Sequence, residues 1–256
     1  HLQGRYCRGY SEGLQMIKSG QRILLVGKER KYFLKAGNGT FSTDRGVISL
    51  DDIVGAEPGD VIRSHNGSEF TILLPKAPDF FEYAKRSGAP MLPRDIGLVI
   101  AYTGMNRNDV VLDAGTGTGI AAIYFGGIAQ RVTTCEVRPE FTRIAEANIR
   151  DAGLENVEVL ASDFLEVQGR FDIVHLDMTI TPEHICHAHS VLKPGGYLAC
   201  YTPFLEYLFG VMDQAEPLFS ELKAVECIER EMSRTKRGTR PSTRVGHTGY
   251  LTIARK

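Results

Sequence analysis

Short apolar runs separated by hairpin turns mark the first part of the chain. Between residues 21 and 74, stretches such as 23–26 and 32–36 alternate with the turn pairs Asn38-Gly39 and Asn66-Gly67. Tight hairpins prefer Asn-Gly because their turn positions need a positive φ angle. No helical period of useful length occurs here, so we predict a small β-barrel or sandwich of roughly 60 residues.

Longer segments with alternating strand and helix character follow. We predict strands at residues 110–112, 131–136, 156–160, 171–177, 197–201, 222–228 and 250–254. Between them we predict helices at residues 96–102, 120–123, 139–153, 181–192 and 205–219, and a turn at residues 193–196. This alternation indicates an α/β fold, with a Rossmann-like seven-stranded sheet whose last strands are antiparallel.

The length of the chain, 256 residues, suits one or two domains with a sizeable core. We predict a small N-terminal all-β domain at residues 16–75 and a second domain at residues 76–256. Residues 76–95 are expected to connect them.

A glycine-rich turn follows the first predicted strand of the larger domain. Glycine occupies every second position at Gly115, Gly117 and Gly119, and a helix is predicted to start at Ile120. A buried strand, a glycine turn and a helix N-terminus form the first crossover of a doubly wound sheet. A dinucleotide site would require a third glycine at the position of Ile120. The G-x-G-x-G form is instead typical of methyltransferases that use S-adenosylmethionine (SAM).

Carboxylates at the ends of the next strands support this interpretation. Glu136 ends the second strand, where it can accept both hydroxyls of a ribose. Asp163 follows the third strand, where it can accept from an adenine amino group, with Phe164 beside the ring. The alternative is that these are acidic strand ends on an arbitrary α/β fold. The predicted cofactor-binding residues are Asp113, Gly115, Thr116, Gly117, Thr118, Gly119, Glu136, Phe141, Asp163 and Phe164.

Composition indicates the cellular compartment and shows a local concentration of positive charge. The five cysteines form no CxxC pair, and neither a transmembrane-length run nor a secretory signal is visible, so we expect a cytoplasmic protein without membrane contact. The net charge is −1, but eight Lys or Arg residues face only Glu231 from Arg230 onwards. We predict that this basic tail contacts phosphates; a solvated charged loop is the alternative. Its candidate residues are Arg234, Lys236, Arg237, Arg240 and Arg244.

Several motifs together resemble one family. They are the segment 41–46, Asp52-Ile53-Val54-Gly55, Gly59-Asp60-Val61, Pro93-Arg94-Asp95, Arg240-Pro241 and His247-Thr248-Gly249-Tyr250-Leu251. Over nearly its whole length the chain is similar to the tRNA (adenine-N1)-methyltransferases of the TrmI type. The resemblance implies methylation of N1 of adenine 58 in the tRNA T loop, and in some archaea also of adenine 57. It further implies a homotetramer, small β domains that help to hold tRNA, and a substrate contact at His247.

The chain departs from that family's pattern around the expected base pocket. The family's fourth strand ends in Asp-Leu-Pro-x-Pro-Trp, whereas this chain has Asp177-Met178-Thr179-Ile180-Thr181-Pro182. Ala89 and Leu92 stand where the family often has Gln and Tyr. A methyltransferase acting on a protein carboxylate or a small molecule is therefore a second interpretation. A non-catalytic tRNA-binding subunit is a third, opposed by the intact cofactor motif.

Asp177 is the predicted catalytic residue, because its carboxylate at the strand edge could accept from the adenine amino group and favour the charge that builds at N1. The alternative is that Asp177 caps the following helix.

His184, His187 and His189 with Cys186 show no recognisable metal-ligand spacing, so no metal is predicted.

Overall fold

The computed structural model describes residues 16–86, 88–236, 238–242 and 246–256. The chain divides into two compact units between Asp79 and Phe80. This division falls close to the predicted boundary after residue 75, and the assignment of the units as separate domains remains a prediction.

The first unit is built from β-strands. Its strands are β1 (Arg22–Val26), β2 (Lys31–Lys35), β3 (Thr40–Thr43), β4 (Gly46–Ser49), β5 (Val61–Arg63) and β6 (Glu69–Leu73). An antiparallel sheet has the order β2-β1-β6-β5, and β3 pairs with β4 as a separate hairpin. A 3-10 helix, Asp51–Ile53, follows β4. The predicted all-β N-terminal region is therefore confirmed.

The four-stranded sheet and the β3–β4 hairpin of the first unit share one apolar core. Ile23 and Leu25 from β1 and Ile72 from β6 are fully buried, and Ile48 from the hairpin joins them. Gly39 and Gly67 have the positive φ angles of turn residues, +93° and +84°. The turn at Asn66-Gly67 connects the paired strands β5 and β6, as predicted. Asn38-Gly39 connects β2 to β3, which do not pair, so the hairpin predicted there is wrong.

The second unit alternates strands and helices. Its helices are α2 (Pro93–Thr103), α3 (Ile120–Gly126), α4 (Pro139–Asp151), α5 (Pro182–Val191) and α6 (Leu205–Ala215); α1 (Ala77–Tyr83) crosses the division between the units. Its strands are β7 (Val110–Ala114), β8 (Arg131–Cys135), β9 (Val157–Leu160), β10 (Phe171–Leu176), β11 (Leu192–Thr202), β12 (Glu221–Glu226), β13 (Met232–Thr235), β14 (Gly238–Pro241) and β15 (Tyr250–Arg255). A 3-10 helix, Phe164–Glu166, follows β9.

Seven of these strands form one sheet with the order β12-β15-β11-β10-β7-β8-β9. The strands from β9 to β11 are parallel, and β15 is antiparallel to both β11 and β12. The central strands β7, β8 and β10 are almost entirely buried, because helices cover both faces of a parallel sheet. The α/β fold class and the antiparallel last strands are confirmed. The order places the carboxyl ends of β7, β8 and β10 side by side, where ligands bind in such sheets.

Three elements differ from the predictions. The predicted turn 193–196 lies inside β11, as an irregularity at which the partner of the ladder jumps from Leu192 to Tyr197. Helix α6 ends at Ala215, earlier than predicted. The basic tail contains a two-stranded hairpin, β13 with β14, which was not predicted.

Cys200 lies in β11 and Cys227 directly follows β12. The two cysteines are not on neighbouring strands, because β15 separates β11 from β12. Both are free thiols. No helix in the described part of the chain combines the length and apolar character that a bilayer crossing requires.

Candidate active site

The glycine turn between β7 and α3 closes tightly against the end of β10. Gly115, Gly117 and Gly119 have φ angles of +87°, +52° and +83°, which side chains disfavour. A Cβ atom on Gly115 would lie 2.0 Å from the backbone oxygen of Asp177. Gly115 therefore permits the close approach of the turn to the chain segment that carries Asp177.

Three contacts outside the turn hold it in place. The backbone N–H of Gly115 donates to the carbonyl of Cys135 at 3.1 Å, and that of Gly117 donates to Glu136 Oε2 at 3.1 Å. Asn148 on α4 donates to the carbonyl oxygens of Thr118 and Lys85, each at 2.9 Å. Asn148 was not predicted as a site residue, although it is buried and braces the turn.

Two cavities flank the turn. The first, of about 250 Å³, is lined by the turn itself and by Met91, Phe141 and His175. The second, of about 440 Å³, is lined by Glu136, Asp163 and Phe164. Both cavities share Gly115, Arg138 and Asp177. The turn is thus brought together with the predicted carboxylates Glu136, Asp163 and Asp177, whereas Asp113 lines neither cavity.

Glu136 is held by Arg138 at the edge of the second cavity. Its carboxylate accepts from Arg138 Nε at 2.8 Å and Nη2 at 2.9 Å. Burial alone would raise the pKa of Glu136, but the hydrogen bonds from Arg138 and from the backbone of Gly117 outweigh it and lower the pKa. The guanidinium also lies 3.8 Å from the centre of the Phe141 ring. Arg138, which was not predicted, keeps an ionised carboxylate at the strand end.

Asp163 and Phe164 occupy different positions in the second cavity. Asp163 is exposed, and one carboxylate oxygen caps the following 3-10 helix by accepting from the N–H of Leu165 at 2.8 Å. The other oxygen has no such contact with a described residue. Phe164 is buried, and its ring packs against His184 and His187, so it forms a wall of the cavity and is not an exposed stacking surface.

A polar ladder crosses three adjacent strands beneath the glycine turn. His175 on β10, Asp113 on β7 and Thr134 on β8 are register partners. Asp113 Oδ1 lies 2.7 Å from His175 Nδ1, and Thr134 donates to Asp113 Oδ2 at 2.6 Å. The Thr116 hydroxyl lies 2.5 Å from that of Thr134. The structure therefore gives Asp113 internal partners in place of the predicted cofactor contact.

Asp177 lies where the two cavities meet. Its backbone N–H donates to the carbonyl of Ala114 at 2.9 Å, which continues the backbone hydrogen bonding between β10 and β7 past the end of β10. Burial raises the pKa of its carboxyl group to about 6; a positive charge on His175 would oppose the rise, and the Asp113 carboxylate adds to it. The carboxylate of Asp177 makes no hydrogen bond to another described side chain.

The alternative role for Asp177, as a helix cap, is not what the structure shows. The N-terminus of α5 is capped by Thr181 and His184, with His184 Nδ1 accepting from the N–H of Thr181 at 2.9 Å. The other two histidines of this segment also have structural partners: His187 Nε2 lies 2.9 Å from the carbonyl of Val167, and His189 packs against Phe219. Within the described residues no group of potential metal ligands was found.

Two motifs that are far apart in the sequence meet at Asp95. Thr248 donates to the buried carboxylate of Asp95 at 2.9 Å, and Arg94 Nη2 donates to Thr248 at 3.1 Å. Tyr201 donates a longer hydrogen bond to Asp95, and a Cβ on Gly249 would lie 2.5 Å from the Tyr201 ring. We call Arg94, Asp95, Thr248 and Gly249 the terminal clasp, because they fix the segment before β15 to the start of α2.

His247 uses both ring nitrogens inside the protein. Nδ1 lies 2.8 Å from Glu226 Oε1, and Nε2 lies 2.9 Å from the carbonyl of Pro203. The hydrogen bond to Pro203 and that to Glu226 raise the pKa of His247. A substrate contact at His247 would compete with these bonds.

The β13–β14 hairpin carries the described part of the basic tail. Arg234, Lys236 and Arg240 are exposed, and none of them bonds to another described side chain. Because Arg234 pairs with Thr239 and Arg240 with Ser233, the two arginines project from opposite faces of the hairpin. Arg237 and Arg244, which were also predicted, lie outside the described residues.

Comparison with known proteins identifies the chain's relatives. The family model described as a methyltransferase domain matches residues 111–196. The tRNA (adenine(57)-N(1)/adenine(58)-N(1))-methyltransferase TrmI of Methanocaldococcus jannaschii is 30% identical over 268 aligned residues, which cover 91% of this chain and 94% of that protein.

Solved structures agree in fold. A SAM-dependent O-methyltransferase from Thermotoga maritima superposes with a TM-score of 0.83 at 25% identity, covering 94% of both chains. The tRNA (m1A58) methyltransferase TrmI from Aquifex aeolicus gives a TM-score of 0.77 at 24% identity, covering 94% of this chain and 99% of that one.

The sheet, the glycine turn and the strand-end carboxylates define a SAM-dependent methyltransferase. By its similarity to the archaeal enzyme over almost the whole length of both, the chain belongs to the TrmI family of tRNA (adenine-N1)-methyltransferases. The resemblance predicted from the sequence is confirmed, as are the enzyme class and the cofactor. The residues present fit SAM, because the cavities on either side of the turn offer carboxylates for its hydroxyl and amino groups.

Proposed function

We propose that this protein methylates N1 of adenine 58 in the T loop of tRNA. The observation that carries the proposal is the Asp177 carboxylate, which lies unpaired where the two cavities meet. This half-buried carboxylate has no protein partner, so it is available to accept from a donor on a ligand. The 6-amino group of adenine, next to N1, is such a donor.

The protein's own residues would position the base and manage its charge. When bound, SAM supplies an activated methyl group. Asp177 accepts from the adenine amino group, orients the ring, and stabilises the positive charge that develops as N1 is alkylated. Because N1 lies on the Watson–Crick edge, the base must be unpaired or flipped out of the folded tRNA.

The cofactor-binding roles follow from the same placement. Glu136 would accept the ribose hydroxyls, which must displace or share the hydrogen bonds that Arg138 now makes. Asp163 would accept from the adenine amino group of the cofactor through the carboxylate oxygen that does not cap the 3-10 helix. The glycine turn would lie along the cofactor's methionine part. Phe141 would cover the first cavity together with Arg138.

Methyl transfer from labelled SAM to an unmodified tRNA transcript tests the reaction. We expect incorporation and a reverse-transcription stop at position 58, because N1-methyladenine blocks base pairing. A transcript with guanine at position 58 is the control, and a second stop at position 57 would show that both adenines are used. No incorporation with SAM still bound would contradict the proposal and favour another acceptor, such as a protein carboxylate or small molecule.

Substitution of the carboxylate tests the residue. We expect Asp177→Ala to lower the rate of methyl transfer by about 10³-fold or more and to change SAM affinity by less than about threefold. Glu158→Ala, an exposed carboxylate on β9, is the matched control and should retain the wild-type rate. An Asp177→Ala variant with undiminished turnover would contradict the assignment.

The partner, assembly and compartment are part of the proposal. We propose that the basic hairpin contacts tRNA phosphates through Arg234, Lys236 and Arg240, together with Arg237 and Arg244. We further propose a cytoplasmic homotetramer, as the resemblance to the family implies. Light scattering of the full chain tests the assembly; a monomer at micromolar concentration would contradict it.

A further inference from the structure

The polar ladder beneath the glycine turn fixes which nitrogen of His175 carries a proton. Thr134 has one hydroxyl hydrogen, which it donates to Asp113, so the hydrogen in its contact with Thr116 comes from Thr116. As an ionised carboxylate Asp113 can only accept. The contact between Asp113 and His175 therefore requires that His175 donates from Nδ1.

The other ring nitrogen of His175 has no partner. The side chain is fully buried, and Nε2 is one of the few buried polar atoms without a hydrogen bond in the described part of the chain. A doubly protonated ring would bury a charged N–H without an acceptor, which costs more than burying a lone pair. Nε2 is therefore an acceptor that requires a donor, and His175 lines the first cavity.

The cofactor offers few donors that this acceptor could meet. SAM carries N–H or O–H groups at its adenine amino group, its ribose hydroxyls and the α-ammonium of its methionine part. The first two belong, on the proposed function, to Asp163 and Glu136, which line the second cavity and not the first. The α-ammonium is the donor that remains.

We propose that His175 Nε2 accepts a hydrogen bond from the α-ammonium of SAM and so holds the methionine part of the cofactor under the glycine turn. The local charge favours a cation there, because the Asp113 carboxylate lies behind the ring. Asp113 acts through His175 by fixing its tautomer. This role rests on the proposed division of the cofactor between the two cavities, and it does not depend on the identity of the methylated base.

A comparison of two ligands tests the contact without RNA. S-adenosylhomocysteine has the α-ammonium, whereas 5′-methylthioadenosine has the same nucleoside and sulfur but no amino acid part. Calorimetry should show that His175→Phe weakens S-adenosylhomocysteine about tenfold or more, as expected for the loss of a hydrogen bond to a charged group, and changes methylthioadenosine by less than about twofold. His189→Phe, which replaces a histidine that packs against Phe219 outside both cavities, is the matched control.

Equal losses for both ligands would mean that His175 only supports the fold, and an unchanged affinity for S-adenosylhomocysteine would remove the contact; either overturns the proposal. Because His175→Phe leaves Asp113 without its donor, the double variant Asp113→Asn/His175→Phe should be measured in parallel. A tRNA that is not methylated would contradict the proposed function and leave this binding result intact.

Ring ¹⁵N spectra of the wild-type protein give a test that needs no substitution. We expect one histidine protonated at Nδ1 only, whose Nε2 signal moves towards the hydrogen-bonded position on addition of S-adenosylhomocysteine and stays in place with methylthioadenosine. A ring that carries its proton at Nε2, or a signal that responds equally to both ligands, would overturn the proposal.

Discussion

Asp177 combines burial with a requirement for charge, and this gives the reaction a pH dependence. Burial raises the pKa of its carboxyl group to about 6. Only the ionised form can accept from an adenine amino group without competition from its own proton. Since the ionised fraction falls below the pKa, we expect the single-turnover rate of methylation to fall roughly tenfold per pH unit below about 6 and to level off above it.

Rapid-quench measurements between pH 5 and 8 with saturating tRNA and SAM check this expectation. Binding of both substrates should be measured at each pH, so that loss of affinity is separated from loss of the ionised form. A rate that stays constant from pH 7 down to pH 5 would show that Asp177 does not need its charge.

The residues that could be predicted are those whose spacing along the chain determines their place. Gly115, Glu136 and Asp163 each end or follow a strand, so the order of parallel strands brings them to one edge. His175 and Arg138 could not be found in this way. The role of His175 depends on its pairing with Asp113 on the neighbouring strand. The role of Arg138 depends on a side-chain conformation that brings its guanidinium group to Glu136.

At the level of elements, the glycine turn packs closely against the end of β10. Gly115 and Gly153 have similar φ angles, +87° and +69°, but a Cβ would lie 2.0 Å from the Asp177 oxygen at Gly115 and meet nothing within 4 Å at Gly153. We expect Gly153→Ala to cost about 1 kcal/mol of stability for backbone strain alone. Gly115→Ala should cost about 1–3 kcal/mol more, because the glycine turn and the end of β10 must separate.

Urea denaturation of the two variants measures this difference. Gly115→Ala should also lose SAM affinity, whereas Gly153→Ala should keep it. Equal destabilisation of the two variants would show that the turn yields without cost and that the close approach does not shape the cavities.

His247 connects the segment before β15 to β12 through a bond that depends on pH. Both of its partners, the Glu226 carboxylate and the Pro203 carbonyl, are acceptors, so the ring donates from both nitrogens and is charged. Its pKa is raised in the folded protein. The stabilisation is therefore complete below the unfolded pKa of about 6.5 and is lost as the pH rises through the higher folded value.

We expect the stability difference between the wild type and His247→Gln to be largest near pH 6 and to shrink towards pH 9. Thermal unfolding of both proteins across this range measures it, with His65→Gln in the first unit as the control histidine. A difference that does not vary with pH would mean that the ring is neutral in the folded protein.

Elements with an apolar period were predicted well, and the basic hairpin was not. Every residue of β13 and β14 is exposed, so these strands have no buried face and therefore no alternation that a sequence could show. The irregularity in β11 was taken for a turn for a related reason. Gly195 has the positive φ angle of a turn residue, but the ladder continues on both sides of it.

At the scale of the whole molecule, contacts between distant residues explain why separate motifs occur together in this sequence. The terminal clasp joins Arg94 to Thr248, which are 154 residues apart. The family resemblance rested on both motifs, but their spacing along the chain does not predict that they touch. The clasp also explains why Gly249 follows Thr248, since a side chain there would collide with Tyr201.

The charge of the whole molecule is −1, so attraction to tRNA has to come from the distribution of charge. The hairpin side chains Arg234, Lys236 and Arg240 are exposed and free of partners among the described residues, which allows them to neutralise phosphates. Each phosphate contact releases counterions and steepens the dependence of affinity on salt. We expect alanine at any one of the three to reduce the slope of log affinity against log salt by about one unit.

Filter binding of tRNA between 50 and 300 mM KCl measures the slopes, and Arg143→Ala on the exposed face of α4 serves as the control. Because Arg234 and Arg240 project from opposite faces of the hairpin, their effects distinguish two ways of binding. A reduced slope in both variants means that RNA phosphates surround the hairpin, as we expect from its exposure on both faces. A reduction in one variant alone would restrict the contact to one face, and an unchanged slope in the triple variant would mean that the basic tail is only a solvated surface.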